Sequence, residues 1–277
     1  MLPHSNLVSD SRLVNDAISL LSSFGGRVSA VSVVDFVMKI RRPDPELAKQ
    51  LVADLIERDP RLKLTGDIVE LSPDAYDDLE IANADFVVFD LETTASNIPP
   101  GRVIEIGAYR VREGRVVDEF ITLVNPQTSI PPFIMGLTRI TDSMVADAPL
   151  FADVADDLLR FIGDSVLVAH NSGFDMNFLN HEIGRIYPDQ RLANPCLCTV
   201  KLSRKLLPDI LNHKLKTVAE HYELDLRDHH RAGPDAFATA HVFINLLTKL
   251  RDDGVTDLKS VRLIAARRQR YARRDPA

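Results

Sequence analysis

The chain has 277 residues, which suits one large domain or two unequal ones. Its apolar fraction of 45% and charged fraction of 26% exclude a disordered chain. Its apolar runs fall short of the ~20 residues of a membrane-spanning helix, so no membrane partner is expected. The net charge of −7 argues weakly against a protein coated in nucleic acid.

Cysteine use and the N-terminal residues predict a cytoplasmic location. Cys196 and Cys198 are too few for a disulfide framework, which favours a reducing compartment. Their spacing could supply half a metal site, but no second Cys/His pair follows at zinc-site spacing. Buried, inert thiols are therefore expected. The first ten residues lack the apolar stretch of a secretory signal.

Residues 1–75 are predicted to form a small separate unit. A first helix is expected to be capped by Ser9 or Asp10 and ended by Gly25-Gly26, and a second fits residues 31–40. A third helix begins at Asp44-Pro45 and ends near residue 58. Alternating residues over 62–71 predict a hairpin. Three helices and a hairpin resemble a winged helix-turn-helix.

The charge of this unit disagrees with DNA binding through the third helix. Residues 1–80 carry 9 basic against 14 acidic residues, a net of −5. In the third helix Lys49 and Arg58 are outnumbered by acids, whereas phosphate contact requires the reverse. A winged helix that contacts protein or has a structural role is favoured over a DNA reader. Residues 76–84, rich in acids, are predicted to be a linker.

Residues 85–250 are predicted to form a mixed α/β sheet flanked by helices. The run FVVFDLETT, residues 86–94, is typical of a strand buried on both faces. Two further strands, 102–111 and 115–124, flank the turn at Glu113-Gly114. Residues 165–169 are a buried strand among helical segments, and residues 236–250 are a long helix with an apolar face.

Asp90 and Glu92 occupy the end of the first buried strand. Because side chains alternate along a strand, both carboxylates point to the same side. Adjacent anions repel each other and cost desolvation free energy, and a divalent cation would offset that cost. Hard Mg²⁺ or Mn²⁺ prefers such oxygen donors. The alternative is a strand end at which both acids lie in water.

Two further acids lie where helices begin. Asp175 follows His170 at the end of a buried strand and falls near a helix N-terminus, where α/β sheets place ligand chemistry. Asp235 opens the last long helix, and His230 lies on the loop before it. Taken singly, Asp175 is more often a helix-start acid than a ligand, and Asp235 is also explained as a first-turn acid that the helix dipole favours.

Together, and in this order, these motifs resemble the DEDDh branch of the DnaQ-like 3′→5′ exonucleases, over about residues 84–250. The branch includes the epsilon-type proofreading subunit of bacterial DNA polymerase III. The runs that carry the resemblance are Phe89-Asp90-Leu91-Glu92-Thr93-Thr94, His170 to Asp175, and His230 to Ala236.

The resemblance implies a ribonuclease-H-like fold and hydrolysis of terminal phosphodiesters to nucleoside 5′-monophosphates. Two Mg²⁺ or Mn²⁺ ions would be held by four carboxylates, and His230 would take the proton of the attacking water. His229 competes for that role, but only His230 has the family's spacing to its aspartate. The implied metal ligands are Asp90, Glu92, Asp175 and Asp235.

The resemblance also implies weaker, substrate-binding roles. Thr93, Glu105 and Ile106 match positions that cradle the terminal nucleotide, and Glu105 could accept from the sugar 3′-hydroxyl. The alternative for Glu105 is a strand residue that faces solvent. Phe174 is expected to pack in the core beneath Asp175, or also to stack on a base. His170 is expected to be structural or on the substrate side, not a metal ligand.

The predicted function is a metal-dependent 3′→5′ exonuclease on DNA 3′ ends, with a DNA polymerase subunit as a candidate partner. An exoribonuclease or oligoribonuclease of the same fold is the first alternative. A winged-helix nucleic-acid-binding protein is the second. Residues 251–277 form a basic tail, with seven basic residues against one acid from Lys259 onward. The tail would contact nucleic acid or a polymerase, or is a solvated helix end.

Overall fold

The computed structural model describes residues 4–57, 59–74, 76–224 and 230–266. Its first part combines short strands with three helices. These elements are β1 (Leu7–Ser9), α1 (Arg12–Ser23), β2 (Arg27–Ser29), α2 (Ala30–Phe36), α3 (Pro45–Ile56), β3 (Leu62–Thr65) and β4 (Ile68–Leu71).

Strands β2, β3 and β4 form an antiparallel sheet in the order β2-β4-β3, and α1 to α3 pack with it around one apolar cluster. Asp44 caps α3 as predicted, since its carboxylate accepts from the amides of Glu46 and Leu47. The predicted cap of α1 is wrong. Ser11 holds the N-cap position without a side-chain bond, and the Ser9 hydroxyl accepts from the Ser11 amide instead. The winged-helix assignment stays a prediction.

The second part carries the larger sheet. Its strands are β5 (Phe86–Thr93), β6 (Val103–Arg112), β7 (Arg115–Leu123), β8 (Val166–Ala169), β9 (Gln190–Leu192) and β10 (Cys196–Cys198). Its helices are α4 (Pro132–Thr138), α5 (Asp142–Val145), α6 (Phe151–Ile162), α7 (Gly173–Ile186), α8 (Thr199–Leu206), α9 (Leu215–His221), α10 (Ala232–Asp252) and α11 (Leu258–Ala266).

Five strands form a mixed sheet in the order β10-β8-β5-β6-β7. Strands β5, β6 and β7 are antiparallel, while β8 and β10 run parallel to their neighbours. On one face Phe86 and Val88 pack in a cluster with α10, and the ring centroids of Phe86 and Phe243 lie 4.9 Å apart. On the other face Val87 and Phe89 pack against α6 and α7. The mixed sheet flanked by helices that the sequence predicts is confirmed.

Strand β10 contains both cysteines. Cys198 is buried, Cys196 is half-buried, and both are free thiols. Burial raises the pKa of the Cys196 thiol to about 12, so it is protonated at neutral pH. The expectation of inert thiols is therefore consistent with the structure.

Residues 76–84, predicted as a linker, pack against α11. The amide of Ile81 donates to the carbonyl of Thr256, and that of Leu258 donates to the carbonyl of Leu79. Two cations of the predicted basic tail, Lys259 and Arg262, form ion pairs with Asp77. These two cations therefore lie on an ordered helix and not in a free tail. Residues 267–277 lie outside the described residues.

The first strand belongs by its packing to the second part of the chain. β1 pairs antiparallel with β9, and Leu7, 0% exposed, enters the cluster formed by α6 and α7. The side-chain amide of Asn6 donates to the carbonyl of Leu159. The packing thus differs from the predicted boundaries at residues 1–10 and 76–84, and the division into domains stays a prediction.

Among the described helices, none combines the length and apolar character needed to cross a membrane.

Candidate active site

Strand β5 delivers two carboxylates to one face of the sheet. Asp90 and Glu92 continue the row of Phe86 and Val88, and this row faces α10. Asp90 lies opposite Gly107 of β6 in the antiparallel register, and Glu92 lies opposite Glu105. Both acids are half-buried. The alternative of a solvated strand end is therefore not supported.

A glycine lets the start of α10 reach this face. A Cβ atom at Gly107 would lie 2.3 Å from the carbonyl oxygen of Ala232 and 2.5 Å from the nitrogen of Gly233. Any side chain at position 107 would therefore collide with backbone. The backbone of α10 rests directly on β6 here, and its first turn carries Asp235 towards the two strand acids.

Three carboxylates converge as a result. Asp90, Glu92 and Asp235 each offer an oxygen, and these oxygens lie within 4.8 Å of one another. The backbone amide of His230 donates to Asp235 at 3.0 Å, and His230 adopts a left-handed conformation with φ of 63°. The loop before α10 is thus folded onto the catalytic candidate Asp235.

Asp175 approaches from the other side, on the first turn of α7. It is 3% exposed, and its Oδ1 accepts from the amide of Leu91 at 3.3 Å. Leu91 stands between the two strand acids, so this bond brings the Asp175 carboxylate next to them. The charge of Asp175 is the largest electrostatic contribution after burial to the pKa of Asp90.

Burial and mutual repulsion raise the pKa values of these acids. Burial, with the charge of Asp175 next, raises the pKa of Asp90 well above its usual value. Burial and then Asp235 raise the pKa of Glu92 to about 8. Burial raises the pKa of Asp175 to about 7. Clustered anions with raised pKa values fit a site that divalent cations occupy, since cations would offset the repulsion. The oxygen-only donor set suits Mg²⁺ or Mn²⁺.

Glu105 is buried and holds the start of α10. Its carboxylate accepts from Nε of Arg231 at 3.0 and 3.1 Å and from Nη2 at 2.6 Å. It also accepts from the backbone amide of Ala232 at 2.8 Å. The solvent-facing alternative for Glu105 is wrong, because the residue is 2% exposed. Binding of a sugar 3′-hydroxyl would have to compete with these bonds, and it stays a prediction.

His230 lies at the surface of the site. Its side chain is exposed on the loop that its own backbone ties to Asp235. An exposed imidazole on the residue whose backbone bonds Asp235 is accessible to water. The competing His229 lies outside the described residues, so the choice between the two histidines rests on spacing and stays a prediction.

His170 does not enter the carboxylate cluster. Its Nδ1 lies 2.8 Å from the Thr199 hydroxyl. Burial lowers the pKa of His170 to about 4, so the imidazole is neutral at pH 7. Of the two roles expected for His170, structural or on the substrate side, this burial and the contact with Thr199 fit the structural one.

The remaining substrate-binding candidates are positioned differently from one another. Thr93 is buried and donates to the carbonyl of Ala95. Ile106 is 1% exposed and packs in the core on the face opposite the acids, so only its backbone borders the site. The ring centroids of Phe174 and Phe178 lie 4.9 Å apart, and this packing fits the core role expected for Phe174. The substrate contacts of these residues stay predictions.

Sequence reasoning missed two residues that shape the site. Gly107 carried a usable signal, because a glycine inside a strand indicates a close approach of another backbone. Arg231 carried none, since an arginine on a loop is usually solvated. Only the fold shows that Arg231 reaches back to Glu105, 126 residues earlier in the chain.

The arrangement defines a class of protein. A mixed sheet whose central strand carries two acids, joined by acids from the starts of two helices, is the active-site plan of ribonuclease-H-like nucleases. The RNase_T exonuclease family matches residues 87–243. The chain therefore belongs to this exonuclease family.

Individual relatives agree with this assignment. The PolC-type DNA polymerase III of Caldanaerobacter subterraneus is 42% identical over 185 residues, which are 67% of this chain and 13% of the relative. Exonuclease X in complex with 5′ overhanging duplex DNA has a TM-score of 0.51 and 29% identity. That match covers 65% of this chain and 99% of Exonuclease X.

A more distant structure shows the fold alone. Escherichia coli Exonuclease I in complex with a dT13 oligonucleotide has a TM-score of 0.54 at 14% identity and covers 62% of this chain and 43% of that chain. This chain spans only 12–14% of the length of the PolC-type DNA polymerases III that it matches.

Proposed function

We propose that the chain is a metal-dependent 3′→5′ exonuclease that releases nucleoside 5′-monophosphates from DNA 3′ ends. The convergence of Asp90, Glu92 and Asp235 within 4.8 Å, with Asp175 beside them, carries the proposal. Raised pKa values of these acids support a site that divalent cations neutralise. Exonuclease X, a relative at 29% identity, was solved with DNA, which supports DNA as the substrate.

In this proposal the four carboxylates hold two Mg²⁺ or Mn²⁺ ions. Such ions lower the pKa of an attacking water and stabilise the charge that develops on the leaving oxygen. His230, exposed at the edge of the carboxylate cluster, accepts the proton of that water. Glu105 and Arg231 hold the first turn of α10, next to which His230 lies.

A polymerase context supports a role in proofreading. The curated relatives are PolC-type DNA polymerases III, in which the matching segment is 13% of the C. subterraneus chain. We infer that this chain acts on the 3′ ends left by a DNA polymerase, either in association with one or in repair. A cytoplasmic location agrees with that role and is part of the proposal.

One degradation assay tests the proposed activity. Single-stranded, 3′-recessed and mismatched DNA are compared with RNA of matched sequence, each with Mg²⁺, with Mn²⁺ and with chelator. We expect mononucleotide release from DNA 3′ ends that chelator abolishes. Faster loss of RNA would favour the exoribonuclease. Binding without any metal-dependent product would favour the binding protein and contradict the proposal.

Asp175→Asn tests the site itself. We expect hydrolysis to fall on the order of a hundredfold or more, because the substitution removes a ligand charge and keeps the size of the side chain. Asp142→Asn is the control, since Asp142 also lies in the first turn of a helix and also accepts from a distant amide, that of Ile130. Unchanged Mg²⁺-dependent hydrolysis in Asp175→Asn would contradict the site.

A further inference from the structure

The loop between α2 and α3 concentrates positive charge on an acidic unit. Residues 36–43 contain Lys39, Arg41 and Arg42 and no acid, whereas residues 1–80 have a net charge of −5. All three cations are exposed. The positive charge that the third helix lacks is therefore present immediately before it.

The backbone holds this loop in a defined and unusual shape. Lys39 and Arg42 both adopt left-handed conformations, with φ of 61° and 50°. Residues with side chains rarely adopt this conformation, and it is maintained only where the surroundings impose it. The amide of Ile40 donates to the carbonyl of Val34, and Nζ of Lys39 donates to the carbonyl of Phe36. The loop is thus fastened to the end of α2, partly through Lys39 itself, while Arg41 and Arg42 remain exposed.

Neighbouring acids do not neutralise the loop. Asp44 is the nearest acid that follows it, and its carboxylate is used to cap α3. Glu46 forms an ion pair with Lys49 at 2.9 Å. Within the described ranges, Arg41 and Arg42 take part in no ion pair. Their charges are available to a partner.

Exposed apolar side chains flank these charges. Phe36, at the end of α2, is 59% exposed, and Ile40, within the loop, is 43% exposed. Cations beside an exposed aromatic ring match the two features of a nucleic-acid strand with unpaired bases. Phosphates pair with the cations, and a base stacks on the ring.

We propose that this surface, defined by Phe36, Lys39, Ile40, Arg41 and Arg42, binds single-stranded nucleic acid. The proposal rests on the proposed function in taking the partner from the class of molecules that the nuclease site hydrolyses. It places the contact on the loop before α3, whereas sequence reasoning considered and disfavoured α3. Duplex DNA fits less well, because its bases are stacked and leave the Phe36 ring without a partner.

Binding of a labelled single-stranded DNA of about 20 nucleotides, measured by anisotropy in chelator, tests the surface. In Arg41→Glu/Arg42→Glu we expect binding at 0.1 M salt to weaken at least about 25-fold, because two phosphate contacts are lost. The slope of log K against log[salt] should become shallower by about 1.4, or about 0.7 for each contact. Phe36→Ala should weaken binding to single-stranded DNA about fivefold or more and leave duplex binding unchanged.

Arg12→Glu/Lys63→Glu is the matched control, since it makes the same charge change at exposed positions of the same unit. Equal weakening in both double variants would overturn the proposal, because net charge alone would then explain it. Preference for duplex DNA, or stronger binding of an acidic peptide, would also overturn it.

Hydrolysis of the p-nitrophenyl ester of thymidine 5′-monophosphate separates this surface from the active site. The small ester reaches only the carboxylates, so all these variants should hydrolyse it at the rate of the unsubstituted protein. If the unsubstituted protein did not hydrolyse the ester, the proposed function would be contradicted and the binding result would still stand. Normal ester hydrolysis with unchanged DNA binding in Arg41→Glu/Arg42→Glu contradicts the binding surface alone.

Discussion

Glu105 lies directly across the sheet from Glu92, and two anions at adjacent cross-strand positions repel each other. Arg231 offsets the charge of Glu105 through its guanidinium, and it also lowers the pKa of Glu92. The pair therefore has two effects. It anchors the first turn of α10, and it keeps one carboxylate of the site from adding its full charge to the others.

Glu105→Gln separates an anchoring role from binding of the sugar. We expect kcat to fall about 10- to 100-fold with little change in KM, because the loop that carries His230 loses its charged anchor. Kinetics on DNA with a 3′-hydroxyl or a 3′-dideoxy terminus measure the two roles. Exposed Glu119 on β7 supplies the control Glu119→Gln. If only the unsubstituted protein distinguished the two termini, Glu105 would bind the sugar, contrary to the anchoring role.

His170 predicts a pH dependence of stability. Its pKa is about 4 in the folded protein and 6.5 ordinarily, so the unfolded chain binds the extra proton between these values. The contribution of His170 to the free energy of unfolding therefore rises by about 3 kcal/mol as pH increases from 4 to 6.5 and is constant above 6.5, while the raised pKa values of the site carboxylates contribute the opposite trend. Urea unfolding of the metal-free protein across this range measures the slope.

The variant His170→Asn should lack this contribution, so its slope should be lower than that of the unsubstituted protein by about 3 kcal/mol over the range from pH 4 to 6.5. Exposed His221 on α9 provides the control His221→Asn, which should retain the slope. An unchanged slope in His170→Asn would assign the pH dependence to other groups.

Residue spacing predicted the acids of the site better than their partners. Strand alternation indicated that Asp90 and Glu92 share one side, and apolar periodicity located Asp175 and Asp235 at helix starts, but only the resemblance to the exonucleases grouped the four into one site. The Glu105–Arg231 pair was not predictable. It joins residues from distant parts of the chain, and no local periodicity reports such a contact.

Helix α10 is positioned by backbone contact at the element scale. Its first residues rest on β6 at Gly107. A Cβ atom added at Gly233 would lie 3.4 Å from the Ile121 side chain of β7. Long elements such as α10 and β5 to β7 were predictable because each sustains a periodic apolar pattern over many residues. The three-residue strands β9 and β10 are too short to show one.

Gly107→Ala should displace α10 from the sheet. The new methyl group would lie 2.3 to 2.5 Å from the backbone of Ala232 and Gly233, which cannot rotate away. We expect activity to fall on the order of a hundredfold, since a shift of about 1 Å at a catalytic group has that effect.

Gly136→Ala, in helix α4 with nothing within 4 Å of its added Cβ, is the matched substitution. It should be neutral or slightly stabilising, because alanine favours a helix more than glycine. Exonuclease assays and thermal unfolding of both variants check the pair. Full activity in Gly107→Ala would show that the contact does not position Asp235.

At the scale of the whole molecule, the first part of the chain is attached to the second at both of its ends. β1 pairs with β9, and residues 79–81 pair with the segment before α11. Arg61, after α3, also donates to the carbonyl of Ser9. Sequence patterns suggested a separate N-terminal unit, because a three-residue strand that pairs across the whole chain leaves no local signal.

Leu7→Ala tests whether β1 belongs to the nuclease. Leu7 is fully buried with Leu158 and Leu179 although it lies outside the segment that matches the family. We expect a loss of about 2–5 kcal/mol in the free energy of unfolding, as for other buried leucines. Leu13→Ala, at a 40% exposed position of α1, should cost much less. Urea denaturation, monitored by the loss of activity, measures the free energy of unfolding of both variants. Equally small losses in the two would contradict the assignment of β1 to the nuclease.

The pairing of Leu7 with Leu192 also sets an order of events during synthesis. Strand β1 is synthesised long before β9, so the two cannot pair until most of the larger sheet has been translated. The intervening helices and hairpin, with their local contacts, can fold while β1 waits. Pairing of strands so far apart in sequence is slow. We therefore expect the pairing of β1 with β9 to be a late step in folding.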